Sequence, residues 1–232
     1  MILLIHGDDI IKVEKKFSEL LDKNTPKIEF DLKKNTLEEI FDSLHADTLF
    51  SEKKIITLRN LKSLHHTKRK KLFEKIKEFK NDEFTNIILT EFSTLDKKLT
   101  TLADADILYT YELPKYFFQY LDCLFPQNNN MAHNLLQKLK STNDGEQLFY
   151  ATVNRTRTLL LFKTKNPQDF DDINKMSSFF KSKLQVQSAK WTDNKLTEFY
   201  AALFEIELGL KTSTLPLSVA EHLDMTLFKH LK

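Results

Sequence analysis

Two hydrophobic periodicities divide this chain, and the place where one gives way to the other limits the fold more than any other feature. Over residues 1–114, short runs of strand length recur at residues 1–5 (MILLI), 27–32 (KIEFDL), 54–58 (KIITL), 86–90 (NIILT) and 107–111 (ILYTY). Each is rich in β-branched or aromatic residues, as a pleated, buried strand requires. Between them the apolar residues step by three and four. Ile10, Val13, Phe17, Leu20 and Leu21 do so first, then Leu37, Ile40, Phe41 and Leu44, then Leu72, Phe73, Ile76 and Phe79. Strands alternating with amphipathic helices predict βαβ units and a largely parallel sheet.

Past Pro114 the strand signal stops. Phe117, Phe118, Leu121, Leu124 and Phe125 open a helical period that Pro126 and Asn128 to Asn130 close. Helical stretches follow at residues 131–139 and 147–162, with a weaker pattern after Pro167 up to residue 190. The face Leu196, Phe199, Tyr200, Leu203, Phe204, Ile206 and Leu210 is the cleanest, and a last helix is expected over residues 217–231. The expectation is an α/β domain over residues 1–114 and an all-α domain over 115–232.

Composition removes several classes of function. At 232 residues the chain can bury a core without cross-links, and the single Cys123 gives no disulfide framework. No leader-like N-terminus and no apolar run of about 18 residues is read, so a cytoplasmic address is expected. The formal charge of +2 does not announce a nucleic-acid binder, so any such contact has to be local. Three glycines are few for phosphate-cradling loops.

The stretch after the first run, His6-Gly7-Asp8-Asp9, stands where a nucleotide-binding chain carries G-x-x-x-x-G-K-[ST]. It has one glycine, Lys12 comes too early, and no second glycine or hydroxyl follows. Asp8 or Asp9 reads as a helix cap. Asp104, Asp106, Asp171 and Asp172 read as turn or cap residues. His65 and His66 are adjacent, so on a helix they cannot share one metal, and Cys123 among apolar residues reads as a buried thiol. No cofactor, metal or catalytic residue is expected. Lys68-Arg69-Lys70-Lys71 is the one dense basic run and is the candidate for a DNA or partner contact. Arg155 and Arg157 point weakly to interface contacts.

Residues 46–58 read ADTLFSEKKIITL, and a turn gains nothing from the bulky apolar pair Leu49-Phe50. That block, together with the N-terminal ILLIHGDD, the run NIILTEF followed by STLDKKL, and the late stretch ALFEIELGLKTST, resembles the delta subunit of the bacterial DNA polymerase III clamp loader. The resemblance implies an AAA+-like N-terminal module without functional nucleotide binding, and a C-terminal helical collar. It implies that Leu49 and Phe50 insert into a hydrophobic pocket of the ring-shaped sliding clamp, and that Glu205, Glu207 and Lys211 lie on a collar helix facing a neighbouring subunit. Burying two such side chains contributes about 1.5–3 kcal/mol each. The partners so implied are the sliding clamp, the clamp-loader ATPase subunits and, through them, primed DNA. The family's middle three-helix domain has no counterpart here. Two other readings stay open: a divergent P-loop-like nucleotide-binding enzyme and a stand-alone DNA-binding module.

Overall fold

The computed structural model describes residues 1–22, 24–46 and 53–232. The chain divides into two compact units, Met1–Leu113 and Pro114–Lys232.

In the first unit the strands are β1 (Ile2–His6), β2 (Lys27–Asp31), β3 (Lys54–Arg59), β4 (Thr85–Glu91) and β5 (Ile107–Thr110). The helices are α1 (Ile10–Leu20), α2 (Leu37–His45), α3 (His66–Lys77) and α4 (Lys97–Ala103), with a 3-10 turn at Leu61–Ser63. The sheet order is β2-β3-β4-β1-β5, and every pairing is parallel. β1 and β3 are almost wholly buried along their length. Cover on both faces is what lets MILLI and KIITL be continuously apolar rather than alternating.

Crossover handedness sets the layers. The step from β1 to β2 runs one way across the sheet, and the steps β2 to β3, β3 to β4 and β4 to β5 run the other. Right-handed connections therefore put α1 on one face and α2 to α4 on the opposite one. Val13 and Phe17 of α1 pack with Leu3, Ile5, Ile55 and Ile88. Ile40, Leu44, Leu72, Phe73, Ile76 and Ala103 pack with Ile2, Leu4, Ile56, Leu58, Ile87 and Leu89. Ile10, read as part of the buried face of α1, is 53% exposed. It is the first helical residue, beyond the reach of the sheet. The helix α4 was not read from sequence; at seven residues it is too short to show a period.

The second unit is helical: α5 (Lys115–Asp122), α6 (Asn129–Lys140), α7 (Gly145–Leu161), a 3-10 turn at Pro167–Asp169, α8 (Asp171–Asn174), α9 (Ser178–Ala189), α10 (Asp193–Lys211) and α11 (Val219–His230). Side chains begin several of them. Asp144, Ser177, Thr192 and Ser218 accept from first-turn amides, and Ser218 with Glu221 forms a reciprocal capping box. The buried stripe of α10 is Leu196, Phe199, Leu203, Ile206 and Gly209. Phe204, read on that stripe, is 58% exposed because it lies about 100° round the helix from Leu203.

Candidate functional site

In a doubly wound sheet the ligand crevice opens where neighbouring strands send their connections in opposite directions. Here that point lies beyond the ends of β1 and β4. It is filled by the chain itself. Gly7, at φ 148°, donates its N–H to Glu91 O at 3.2 Å, and a Cβ at Gly7 would stand 1.8 Å from Tyr111 O. Tyr111 N donates to His6 O at 2.9 Å, while Tyr111 O accepts from Asp9 N at 3.1 Å. Leu113 N donates to Asp8 Oδ1 at 2.7 Å. Asp9 caps α1, accepting from Lys12 N at 3.3 Å, and Lys12 Nζ lies 2.8 Å from its carboxylate. The amides of Gly7, Asp9 and Lys12 are thus committed within the chain, and two carboxylates stand at this helix start, where a phosphate's charge would fall.

The same region holds two buried polar side chains. Glu91 accepts from Lys62 N at 2.8 Å and from the Ser93 hydroxyl at 3.0 Å. His6 accepts from Leu95 N at 3.2 Å through Nδ1, which leaves Nε2 to donate toward Thr110 Oγ1 at 3.2 Å. Burial holds the His6 pKa below its ordinary value, with Lys62 acting in the same sense and Glu112 and Glu91 opposing.

At the other end of the sheet, α2 hands the chain to β3. Leu49 and Phe50 lie outside the described residues. The flanks of their segment are tied together by Lys54, which is 6% exposed. Its ammonium donates to Ser43 O at 3.0 Å, Leu44 O at 3.0 Å and Ala46 O at 2.7 Å, the last carbonyls of α2. One side chain on the first residue of β3 therefore serves as the C-terminal cap of α2. The Lys54 N–H donates to Phe84 O at 2.8 Å, and Phe84, just before β4, is 52% exposed.

The basic run, which stands just before the apolar residues Leu72 and Phe73 in the sequence, lies within the first turns of α3 itself. Helical geometry scatters it. Lys70, with His66 and Lys77, faces a groove of about 720 Å³ whose other wall is Lys97, Lys98, Thr101 and Leu102 of α4. Lys68 lines a separate hollow beside Lys33, Lys34 and His65. Arg69 is half-buried, and Lys71 is exposed. Lys77, Lys97 and Lys98 were missed from sequence because they are far apart along the chain and come together only when α4 packs beside α3.

On α10, Lys211 Nζ donates to Glu207 Oε1 at 2.7 Å, an i,i+4 pair with the acid leading. Glu205 and Glu207 are two residues apart and so project from different sides of the helix. Arg155 is not an interface residue. It is 7% exposed, donates to Gln187 Oε1 at 3.1 Å and lies 3.5 Å from Asp122, which also pairs with Lys183. Burial lowers its pKa against the opposing effect of Asp122. Arg157 is exposed and meets Asp172 at 3.3 Å. Cys123 is buried, and burial raises its pKa, which removes thiolate character. Among the described residues no group of three or more His, Cys, Asp or Glu is placed to hold a metal ion, and no helix is long and apolar enough to cross a membrane.

No protein-family model and no curated protein matches the sequence. Among solved structures, the chain is similar to the Bacillus subtilis DNA clamp loader delta protein at a TM-score of 0.45 and 12% identity, over 99% of this chain and 95% of that one. It is also similar to a DNA polymerase III gamma subunit-related protein of Thermotoga maritima at a TM-score of 0.36 and 15% identity, over 99% and 93% of the two chains.

Proposed function

We propose that this protein is a non-catalytic subunit of a replication clamp loader, gripping the sliding clamp with its N-terminal unit and joining ATPase subunits through its C-terminal helices. The observation that carries the reading is the closed crevice beyond β1. The sheet has the parallel, doubly wound layout of a nucleotide-binding module, yet Glu91 O and Tyr111 O accept the amides of Gly7 and Asp9, and Asp8, which accepts from Leu113 N, and Asp9 supply negative charge where phosphates would bind. An arrangement of this kind suits a protein that keeps the architecture for its surfaces. ATP is then bound and hydrolysed by the partners.

The grip is assigned to Leu49 and Phe50 on their sequence context ADTLFSEKK. Support comes from the flanks. A buried ammonium fixes the end of α2 to the start of β3, so the described residues on either side of residues 47–52 are held together. The collar contact is assigned to the broad exposed arc of α10 that runs from Glu205 on one side, across the exposed Phe204 and Leu208, to Glu207 and Lys211 on the other.

The test is a titration of the organism's own sliding clamp with the protein and with the Leu49→Ala, Phe50→Ala double variant. Truncating two anchors of a small apolar hot spot raises the dissociation constant at least about thirtyfold, or about 2 kcal/mol. Unfolding free energy should change by about 0.5 kcal/mol or less, as for surface positions. A variant that unfolds much more easily yet binds the clamp normally overturns the assignment.

A further inference from the structure

We infer that the hollow between α5, α7 and α9 is a binding site for a small apolar carboxylic acid, held as its carboxylate beside Arg155. The hollow has a volume of about 300 Å³. Phe118 and Leu121 of α5, Ala151 of α7, and Phe180 and Leu184 of α9 give it apolar walls. Arg155 lines it as well, although it is only 7% exposed. Among the described residues it is the one charged group on these walls, and the hydroxyl of the neighbouring Thr158 is committed to Asn154 O at 2.8 Å. The guanidinium is short of partners. Among the described residues it makes one hydrogen bond, to Gln187 Oε1 at 3.1 Å, of the five it can donate. The carboxylate facing it, Asp122, stands 3.5 Å away and is shared with Lys183. Two cations on one carboxylate leave one positive charge unanswered. Burial outweighs Asp122 and holds the Arg155 pKa below its ordinary value, so Asp122 does not offset the whole cost of burying the cation. The Phe180 ring, 5.4 Å from the guanidinium carbon, adds a cation–π contact.

The chemistry of the lining selects the ligand. Ligand sites are mostly apolar with a few placed polar groups, and about 300 Å³ lies at the lower end of their range. The occupant is therefore compact, a single ring or a short chain. Its head has to be anionic, because the guanidinium repels an amine and a neutral molecule leaves the buried charge unanswered. A phosphate brings up to two negative charges and three acceptor oxygens. One guanidinium among apolar walls satisfies only part of these, and the rest would be desolvated without partners. A carboxylate brings one charge and two oxygens, which match the planar fork of a guanidinium. Its apolar body is then removed from water by the rings and leucines around it. Phe118 and Phe180, 44% and 36% exposed, are the walls that such a body would cover. The inference does not rest on the clamp-loader reading, since none of these residues belongs to the grip or to the α10 arc assigned above.

The experiment titrates the full chain with 3-phenylpropionate at neutral pH and follows the ligand by NMR. A dissociation constant on the order of 1 mM is expected for so small a molecule. Its neutral isostere, 3-phenylpropionamide, should bind at least about tenfold more weakly, as the loss of a charge-assisted contact implies. Arg155→Met keeps the stem of the side chain, leaves Asp122 paired with Lys183, and should weaken binding of the acid by a similar factor. Ala151→Phe fills the hollow from a half-buried position without touching the charge and should abolish binding; it carries the test if Arg155→Met folds poorly, and circular dichroism melts check both. Phe179→Ala, on α9 but outside the hollow and 79% exposed, should leave the affinity unchanged. Octanoate beside 3-phenylpropionate separates fatty from aromatic acids as the source, and whichever binds has to show the same dependence on Arg155. Absence of binding by either acid up to about 10 mM, an amide that binds as well as the acid, or affinity indifferent to both Arg155→Met and Ala151→Phe overturns the inference. An equal loss in Phe179→Ala does so too. So does a pentapeptide ending in phenylalanine that binds about tenfold more tightly than the free acid, which would assign the hollow to a protein terminus.

Discussion

Replacing Lys54 by methionine keeps the stem of the side chain and removes only the ammonium. In the parent protein that ammonium satisfies three carbonyls at the end of α2, and the bond to Leu44 O is fully buried. A buried carbonyl left without a donor costs about 1–3 kcal/mol. The carbonyls of Ser43 and Ala46 are part-buried and regain water, so each loses about 0.5–1 kcal/mol. The expected loss is about 3 kcal/mol, or more than a hundredfold in the folding equilibrium. With an m-value of about 2 kcal/mol per molar urea, the midpoint of the N-terminal unit should fall by about 1.5 M. Far-UV circular dichroism against urea reads it, and Lys53→Met at the neighbouring exposed position controls for lost charge, with a change within about 0.5 kcal/mol. Hydrogen exchange should show early opening of the last turn of α2. A Lys54→Met midpoint equal to that of Lys53→Met would refute the argument that one ammonium closes this helix onto the sheet.

Gly7→Ala should lower stability by several kcal/mol, since the new Cβ meets the Tyr111 carbonyl at 1.8 Å from a backbone at φ 148° and either defect alone costs about 1–3 kcal/mol; a urea midpoint near that of the parent would show that the Tyr111 segment swings away freely. Because the folded-state pKa of His6 is lowered, the fold binds fewer protons there than the unfolded chain. Its contribution is complete above the unfolded value of about 6.5 and is lost as pH falls through the folded value. Stability measured between pH 7.5 and 5 should therefore decline, and His6→Gln should flatten that decline; His230, lowered mainly by burial, acts in the same sense in the second unit and sets the residual slope. An unchanged slope in His6→Gln would mean that His6 does not remain neutral in the folded chain. Phe73→Ala, at a fully buried position of α3, should cost about 3–5 kcal/mol, and a loss near that of an exposed site would refute the packing of α3 on the sheet.

Periodicity alone determined the α/β unit, its five strands and the change to helices at Pro114, because the spacing of apolar residues is set by the geometry of each element and needs no knowledge of neighbours. Local sequence also made a cap at Asp8 or Asp9 and the lack of a phosphate motif legible, since both depend on residues adjacent in sequence, and the structure places the cap at Asp9. What it left undecided concerns residues far apart in the chain. Nothing in KIITL says that its first lysine turns inward to cap the preceding helix, because a strand lysine is ordinarily solvated and its partners are backbone carbonyls, which have no sequence signature. Arg155 looked like a surface charge until Gln187, on α9, supplied an acceptor and Asp122, on α5, a counter-charge. The basic run looked like one patch. Tertiary structure split it between two sides of α3 and joined Lys70 to Lys97 and Lys98, some 27 residues away. Electrostatic sites are sums over space, and the sheet that seats α3 beside α4 decides which charges are added.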